Sequence, residues 1–320
     1  MVTAVQSYNP TAGTNALTAE QHTYYVDAML ERLKPELTWL KFGKKTKIPK
    51  RKGATANFRR VNRLNVATTA ITEGVTPDGV NLDVTALNAT VKEYGNWTKI
   101  SEFLDMTGFD PILTEAAEVM GENAGESIDS IVRDVVGAGT NVMYGGGKLS
   151  RATVASTDKI TTMDILRARR TLKKNRVKKI KLPNGKSGYL AFISPDVATD
   201  LMQTDVWERA NVRNDTSNFT DGFIGSLYGV YFMEVDTPVV FAGAGASGID
   251  VHGTIFIGQD AYGVPDVEGS SKPEIIVHPA GSAGTADPLN QFNTVAWKAA
   301  LATVRLEELA IVRLETAATA

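Results

Sequence analysis

The chain has 320 residues, 43% of them hydrophobic, and contains no cysteine, so it can bury a substantial core in one large domain or two ordinary ones. The missing thiol excludes disulfides, thiolate zinc sites and cysteine nucleophiles. The formal net charge of −2 argues against a histone-like or strongly acidic protein, although residues 1–63 carry 12 Lys/Arg against 4 Asp/Glu.

The N-terminal part is predicted to be an arm followed by a helix. Residues 1–19 are rich in Thr, Ala, Asn and Gln, which is typical of an extended segment. Over residues 20–39 apolar side chains recur at i+3 and i+4 spacing, which predicts a helix interrupted at Pro35. Residues 1–16 lack the features of a secretory signal, and no stretch approaches the roughly 20 apolar residues of a membrane span. We therefore expect no membrane partner.

The next segment is predicted to form a projecting two-stranded ribbon. Strand-like runs over 54–61, 84–91 and 96–100 flank a Thr-rich stretch, 67–79, that is punctuated by turn residues such as Gly74. This stretch has few large apolar side chains and cannot form a core of its own. Because an isolated ribbon is marginal in water, we expect it to lie on another surface.

A long helix is predicted over residues 110–136. Asp110 is a suitable cap and Pro111 suits the first helical position, while Gly137 and Gly139 end the helix. At about 1.5 Å per residue the helix is roughly 40 Å long. One face carries an apolar stripe. Another carries acidic side chains at i+3 and i+4 spacing, namely Glu115, Glu118, Glu122, Glu126 and Asp129.

An α/β region is predicted to begin after Gly145–Gly147. The basic stretch 163–175 has a helical pattern, and Ser194 with Pro195 opens a second helix as cap and first residue. The predicted strands of this region are 189–193, 230–235, 239–242, 254–257 and 275–278. For 295–315 the pattern is mixed, and strands are favoured. The chain is thus predicted to have an α+β fold.

Two local motifs resemble nucleotide-binding loops without meeting their physical requirements. Gly243–Gly248 has the spacing of a dinucleotide fingerprint, but a strand-like run follows where a helix N-terminus is needed. Gly185-Lys186-Ser187 lacks the glycine that a phosphate loop needs at position 180, which is Ile180. The three histidines lie far apart in sequence and have no metal-ligand spacing. No catalytic, cofactor or metal residue is predicted, and we expect a protein that is not an enzyme.

Two tracts carry basic residues without interspersed acids. The first, within 37–72, contains Lys41, Lys44, Lys45, Lys47, Lys50, Arg51, Lys52, Arg59, Arg60 and Arg63. The second, within 165–195, contains Arg167, Arg169, Arg170, Lys173, Lys174, Arg176, Lys178, Lys179 and Lys181. Such tracts can form a solvated surface, contact nucleic-acid phosphates, or pair with the acidic helix face of a neighbouring copy.

The order of these segments resembles the Hong Kong 97-like fold of tailed-bacteriophage major capsid proteins, in the branch typified by the phage N-four coat protein. Characteristic phrases span nearly the whole chain in the expected order. They are Ala67-Thr-Thr, Thr72-Glu-Gly-Val-Thr-Pro-Asp-Gly79, Asp110-Pro-Ile-Leu-Thr-Glu-Ala-Ala117, Arg133-Asp-Val-Val-Gly-Ala-Gly-Thr-Asn141, Ser194-Pro-Asp-Val-Ala198, Asp260-Ala-Tyr-Gly-Val264, Lys272-Pro-Glu-Ile-Ile-Val277 and Gly281-Ser-Ala-Gly-Thr-Ala-Asp-Pro-Leu-Asn-Gln291. None of them is a catalytic motif, so their collinearity carries the resemblance.

The resemblance implies a division of the chain and a set of partners. The implied parts are an N-arm (1–50), an extended loop (51–98), a peripheral domain (99–148 with 271–320) and an axial domain (149–270). Copies would form the hexamers and pentamers of an icosahedral shell around double-stranded DNA, with a portal protein at one vertex. Separate scaffolding and decoration proteins are further expected partners. The shell would be part of the virion and would assemble in the host bacterial cytoplasm.

The basic and acidic side chains suggest how copies contact each other. We expect the first basic tract to dock on or near the acidic helix face of a neighbour, while the second faces the packaged DNA or lines subunit contacts. Two other functions fit parts of the sequence. An encapsulin-type nanocompartment shell has the same fold and encloses a cargo enzyme. A basic nucleic-acid-binding protein would explain the tracts but not the acidic face or the ribbon.

Overall fold

The computed structural model describes residues 37–48, 53–71, 73, 74, 76, 78–107, 112–182, 185–211, 222–267, 273–282 and 287–319. Several sequence predictions lie outside these residues. They concern the arm and most of the first predicted helix (1–36), the side chains of Lys50, Arg51 and Lys52, and the helix caps Asp110 and Pro111.

The helices and strands of the described part follow the predicted order. The α-helices are Thr38–Lys41 (α1), Glu102–Thr107 (α2), Ile112–Gly137 (α3), Thr162–Lys174 (α4), Pro195–Met202 (α5) and Asp205–Asn211 (α6). The strands are Lys44–Ile48 (β1), Thr55–Val61 (β2), Val84–Thr90 (β3), Lys92–Ser101 (β4), Val142–Tyr144 (β5), Ile180–Lys181 (β6), Ser187–Ile193 (β7), Phe223–Leu227 (β8), Val230–Glu234 (β9), Val239–Phe241 (β10), Val251–Ile257 (β11), Tyr262–Val267 (β12), Glu274–His278 (β13), Phe292–Leu301 (β14), Val304–Arg305 (β15) and Ile311–Thr316 (β16). The long helix and the strand interpretation of 295–315 are confirmed.

Contacts group the chain into two units. The first includes Glu93–Ser127 and Ser270–Ala300, and the second comprises Leu37–Lys92, Ile128–Gly269 and Leu301–Ala320. This grouping differs from the predicted peripheral domain, in which all of 271–320 joins 99–148. The physical reason is that β16 pairs antiparallel with β11 and parallel with β5, so its main-chain hydrogen bonds tie it to the second unit.

The second unit is built on an eight-stranded mixed sheet. Its strands run in the order β5-β16-β11-β7-β9-β8, and β10 and β6 pair with β11 and β7. β7 lies parallel to β9 and antiparallel to β11. Every residue of β7 except Ser187 is buried, as expected of a strand that is covered on both faces. The continuous apolar run Tyr189–Ile193 is therefore a central strand, as predicted.

Helices α4 to α6 cover one face of this sheet. Ile165, Leu172 and Val197 from the helices share a core cluster with Ala191 and Ile193 of β7. Helix α4 begins in a capping box, in which the side chains of Thr161 and Asp164 each bond the other's main-chain amide. Such a cap contributes about 1 kcal/mol, and α5 begins, as predicted, at Ser194 followed by Pro195.

The base of the predicted ribbon is β2 paired antiparallel with β3, from Thr55 opposite Thr90 to Val61 opposite Val84. Phe58 is buried in a cluster with Ile48, Ala302 and Leu306 of the same unit. A β-carbon built on Gly263 would lie 2.7 Å from the ring of Phe58, so glycine is required there by close packing. The base of the ribbon is thus anchored within its own chain.

The first unit contains the sheet β13-β14-β4 and the part of α3 up to Ser127. Buried and less buried residues alternate along β14, which is typical of a strand with one face in a core. The side chain of Asn123 on α3 links two strands, because its Oδ1 accepts hydrogen bonds from Trp297 Nε1 (2.9 Å) and Asn96 Nδ2 (3.2 Å). These two hydrogen bonds fix the face that the helix turns to the sheet.

Candidate functional site

Beyond Val61 and Val84 the ribbon continues without regular secondary structure through the described residues between 62 and 83. Asn62 stays bonded to Asp83, from main-chain N to O at 2.8 Å and between the side chains at 2.5 Å. We call residues 61–84 the outer ribbon. Its large apolar side chains lie in solvent, each about half to three-quarters exposed. They are Val61, Leu64, Val66, Ile71, Val80, Leu82 and Val84. The prediction that the ribbon has no core of its own is confirmed for the described residues.

A row of exposed aliphatic side chains on a projecting ribbon indicates a surface that another chain covers. Exposed apolar patches of this kind mark protein interaction sites. The first unit carries a second such patch on α2, where Phe103 and Met106 are about three-quarters exposed. Both surfaces are suited to association.

The first basic tract is exposed for the most part, and several members have partners within the chain. Lys44 pairs with Asp260 at 3.6 Å, and Arg60 pairs with Glu307 at 3.2 Å. Nη2 of Arg63 donates to the main-chain oxygen of Arg176 at 2.6 Å. Lys41, Lys45, Lys47 and Arg59 are exposed and form no ion pair within the described residues.

The second basic tract lies on α4 and the segment that follows it. Arg167 pairs with Asp164 at 3.4 Å. Exposed side chains of the tract are Arg170, Lys173, Lys174, Arg176, Lys178, Lys179 and Lys181, while Arg169 is half-buried. The structure brings the two tracts together at one place, because Arg59 to Arg63 and Arg176 to Lys178 line the same cavity of about 520 Å³. Sequence spacing gave no sign of this juxtaposition.

The acidic side chains of the predicted face of α3 differ in how far they are exposed to solvent. Glu115 and Glu126 are exposed, and Glu118 and Glu122 are half-buried. Asp129 is a correction to the prediction, because it is only 1% exposed. Its carboxylate accepts hydrogen bonds from the main-chain N of Trp39 at 2.8 Å and from Thr237 Oγ1 at 3.1 Å, so it is not available as a surface contact.

The environment of Asp129 alters its acidity. Burial raises the pKa of Asp129 to about 6, although hydrogen bonds from the main chain of α1 and from Thr237 oppose the rise. The same site holds Tyr262, whose hydroxyl donates to the main-chain oxygen of Trp39 at 2.5 Å. Trp39 is thereby bonded to α3 through its amide and to β12 through its carbonyl oxygen, which secures α1 against both elements.

A buried ion cluster, which the sequence did not reveal, holds strand β16. Glu315 is fully buried and accepts hydrogen bonds from Arg151 and Arg313 at 2.8 Å. Arg313 also donates to the main-chain oxygen of Gly137, and Arg305 donates to that of Val135 at 2.7 Å. Two cations thus satisfy carbonyl groups at the C-terminal end of α3, where positive charge is favourable.

One group of side chains invites comparison with a hydrolase triad. Ser194 Oγ lies 3.2 Å from His252 Nδ1, and Asp196 Oδ2 lies 3.8 Å from the same nitrogen. A triad needs the serine and the carboxylate on opposite ring nitrogens, and here Ser194 Oγ also accepts from the amide of Val197 as the cap of α5. The group therefore acts in capping a helix.

No cluster of metal-ligating side chains occurs among the residues that the structure describes. Within that same part of the chain, no helix combines the length and the apolar character needed to cross a membrane.

Comparisons with known proteins identify a family and similar solved structures for this chain. The family model described as phage capsid protein matches residues 64–314, whereas no curated protein matches the chain. Among solved structures, the capsid of Ralstonia phage GP4 superposes with a TM-score of 0.73 at 13% identity, over 100% of this chain and 99% of that one. The capsid of cyanophage Pam1 gives 0.67 at 14% identity, over 99% and 98%. The capsid of cyanophage P-SCSP1u gives 0.62 at 12% identity, over 89% of each chain.

These likenesses extend over the ribbon, the long helix and the eight-stranded sheet. They establish a Hong Kong 97-like α+β fold, and the family model covers most of the sequence. The chain belongs to the phage capsid protein family, as a major capsid protein whose copies assemble into the shell of a tailed phage.

Proposed function

We propose that this protein forms pentamers and hexamers of an icosahedral head shell that encloses double-stranded DNA. The observation that carries the proposal is the outer ribbon, which presents apolar side chains such as Leu64, Val66 and Leu82 to solvent. Removing such apolar surface from water contributes about 25 cal/mol of free energy per Å², which favours contact with another copy. A portal protein at one vertex and separate scaffolding and decoration proteins complete the proposed set of partners, with assembly in the host cytoplasm.

We further propose that the parts of the chain have the roles implied by this kind of shell. Residues 1–50 would act as the N-arm and 51–98 as the extended loop. Residues 99–148 with 271–320 would form the peripheral domain, and 149–270 the axial domain at the centres of capsomers. The pairing of β16 with β11 supports one change to this division, in which β16 joins the axial domain instead of the peripheral domain.

The exposed charges support contacts between copies. Lys44, Arg60 and Arg63 have partners within the chain. The other members of the first basic tract would dock on or near the acidic face of α3 of a neighbour, at Glu115, Glu118, Glu122 and Glu126. Exposed ion pairs contribute only about 0–1 kcal/mol each. Many such contacts repeated over a shell are stabilising in sum, yet each can break and reform while the shell assembles.

The second tract supports a role towards nucleic acid or towards other subunits. Lys173, Lys174 and Lys179 are exposed and carry positive charge without an ion-pair partner in the described part of the chain. Contacts with DNA phosphates would be independent of sequence and would weaken steeply with salt. Particles of the Lys173→Gln, Lys174→Gln variant would then package DNA less completely, whereas subunit contacts would appear as a lower yield of empty particles.

Electron microscopy of the purified protein, with size-exclusion chromatography, tests the proposal. Closed shells, tubes or capsomer rings would support it. A monomer or dimer that yields no particles even with co-expressed scaffolding and portal genes would refute it. The contents of purified particles distinguish a DNA-filled head from a nanocompartment, because the latter encloses a cargo protein.

A further inference from the structure

The cavity that the two basic tracts share, which we call the cationic cleft, contains more cations than acids. It is lined by the base of the ribbon, the segment after α4 and the turn before β16, all within the second unit. Its two acids, Asp260 and Glu307, pair with Lys44 at 3.6 Å and with Arg60 at 3.2 Å. Four further cations line the cleft and form no ion pair within the described part of the chain, namely Arg59, Arg63, Arg176 and Lys178. The cleft therefore has an excess of four positive charges.

Hydrogen bonds to main-chain oxygens hold the walls of the cleft together. Nη2 of Arg63, at the base of the ribbon, donates to the main-chain oxygen of Arg176 at 2.6 Å. Nη1 of Arg60 donates to the main-chain oxygen of Leu306 at 3.3 Å. The ribbon base is thus bonded to both of the other walls. A site that is already held in shape loses little conformational freedom when a ligand binds.

The backbone at Arg176 has a conformation that rarely accommodates an arginine. Helix α4 ends with hydrogen bonds from the amide of Arg176 to the oxygen of Lys173 at 2.9 Å and from the amide of Val177 to the oxygen of Leu172 at 3.1 Å. This type of helix end places Arg176 in the left-handed region, at φ 55°, where glycine is usual because a β-carbon is unfavourable. Such local strain is often found where a side chain serves a function. The side chain of Arg176 is exposed and lines the cationic cleft.

The size and charge of the cleft fit a small polyanion. Its volume of about 520 Å³ lies in the range of small-molecule sites, about 300–1,000 Å³. A DNA duplex presents its phosphates on the outside of a wide cylinder, which such a cavity does not admit. A triphosphate group carries about four negative charges at neutral pH, which equals the excess of positive charge. Three of the four unpaired cations are arginines, whose guanidinium groups can bind two phosphate oxygens at once.

Uncharged side chains of the cleft offer contacts to the rest of such a ligand. Asn62 and Gln259 line it with amide groups, and Val177 and Leu309 line it with apolar surface. Leu309 is 52% exposed, so a bound group can cover it. This combination of a few polar groups with apolar walls is typical of sites for small organic ligands, and it suits the sugar and base of a nucleotide.

We propose that the cationic cleft binds a triphosphate group, carried either by a nucleoside triphosphate or by free inorganic tripolyphosphate. Arg176 and Lys178 bind it from one wall, and Arg59 and Arg63 bind it from the other. The ligand also neutralises four like charges that repel one another in the empty cleft, so its binding stabilises the folded chain. This site goes beyond the proposed function, because its ligand is neither a shell subunit nor packaged DNA and because one chain supplies all of its residues.

Isothermal titration calorimetry of the purified full-length chain, with ATP and with sodium tripolyphosphate, tests the proposal. Both ligands should bind at one site per chain, with an affinity that falls as the salt concentration rises. Arg176→Gly should weaken binding by about tenfold or more. The melting temperature of this variant without ligand should be equal to or higher than that of the parent protein, because glycine is favoured in the left-handed conformation. A purely structural role of Arg176 would not separate these two measurements.

Two further variants locate the site and identify the part of the ligand that is recognised. Lys174→Gln is the control, since Lys174 is an exposed member of the same basic tract outside the cleft lining, and it should leave both affinities unchanged. Equal affinities for ATP and tripolyphosphate would show that the triphosphate group alone is recognised. A higher affinity for ATP, which Leu309→Ala lowers while tripolyphosphate binding stays the same, would show that the nucleoside is recognised as well.

Three results would overturn the proposal. The first is that neither ligand binds even at low salt. The second is that Lys174→Gln weakens binding as much as Arg176→Gly, because the attraction would then come from the whole basic surface. The third is that a short DNA duplex binds more tightly than either ligand and that Arg176→Gly abolishes this binding. These measurements use the chain whether or not particles form, so their failure leaves the shell function intact, and a failure to form particles leaves the cleft assignment standing.

Discussion

Replacement of Asp129 by asparagine tests whether ionisation of the buried carboxylate that links α1 to α3 lowers the stability of the fold. Burial raises the pKa of Asp129 from 3.8 to about 6 in the folded protein. Between these two values the folded state binds a proton that the unfolded state releases, so the free energy of unfolding falls as the pH rises. Each pH unit in this window is worth about 1.4 kcal/mol, and ionisation of Asp129 therefore destabilises the fold by about 3 kcal/mol.

Asparagine has nearly the same shape and no ionisable group. Its carbonyl oxygen can accept from Trp39 N, and its amide can donate to Thr237 Oγ1, the two atoms that Asp129 now contacts. The free energy of unfolding of Asp129→Asn minus that of the parent protein should therefore rise by about 2.4 kcal/mol between pH 4 and pH 7. Guanidinium unfolding of the unassembled chain, followed by tryptophan fluorescence, measures this difference.

The control is Glu126→Gln, an exposed position on the same helix. Subtraction of the parent curve removes the pH dependence of all other groups, so the difference isolates the substituted position. A difference for Asp129→Asn that stays constant within about 1 kcal/mol from pH 4 to pH 7 would refute the reasoning. The carboxylate would then be hydrated or free to move in solution.

Three further substitutions test other parts of the structure. Glu315→Ala should lower the free energy of unfolding by about 3–5 kcal/mol, because Arg151 and Arg313 would lose their shared buried partner. Thermal unfolding by circular dichroism measures the loss, and a melting temperature equal to that of the parent protein would contradict the prediction. Phe58→Ala should cost about 3–5 kcal/mol by opening a cavity at the base of the ribbon, and a cost below 1 kcal/mol in guanidinium unfolding would show that the base is not anchored there. Leu82→Asp should change the stability of the unassembled chain by less than about 0.5 kcal/mol and yet reduce the yield of particles seen by electron microscopy, and an unchanged yield would show that the outer ribbon is not a contact surface.

Local elements of the fold were predictable from the sequence where short-range chemistry determines them. The Ser194-Pro195 cap, the apolar run Tyr189–Ile193 and the apolar stripe of α3 each specify their structure within a few residues, and the structure contains all three. The ribbon was also predictable, because a Thr-rich stretch between two strand-like runs has too few large apolar side chains for a core.

Long-range partners were not predictable, because they depend on residues far apart in the chain. Asp129 continues the i+3 and i+4 spacing of the acidic face, yet its partners Trp39 and Thr237 lie 90 and 108 positions away and bury it. Glu315 likewise belongs to an alternating strand pattern that gives no indication of Arg151, 164 residues distant. The sequence identified charged side chains that could form an interface, but it did not show which of them the fold buries.

The pairing of β16 between β11 and β5 has a consequence for the order of folding. The ribbon strands β2 and β3 pair across the 22 residues from 62 to 83. Arg313 of β16, in contrast, pairs with Val142 of β5, which precedes the whole α/β region in the sequence. Contacts between such distant positions form slowly, because a long loop must close before they are gained. During that time β11 has an open edge, which is prone to pair with strands of other chains. The pairing of β16 is therefore also the step that covers this edge of β11 and protects the chain from aggregation.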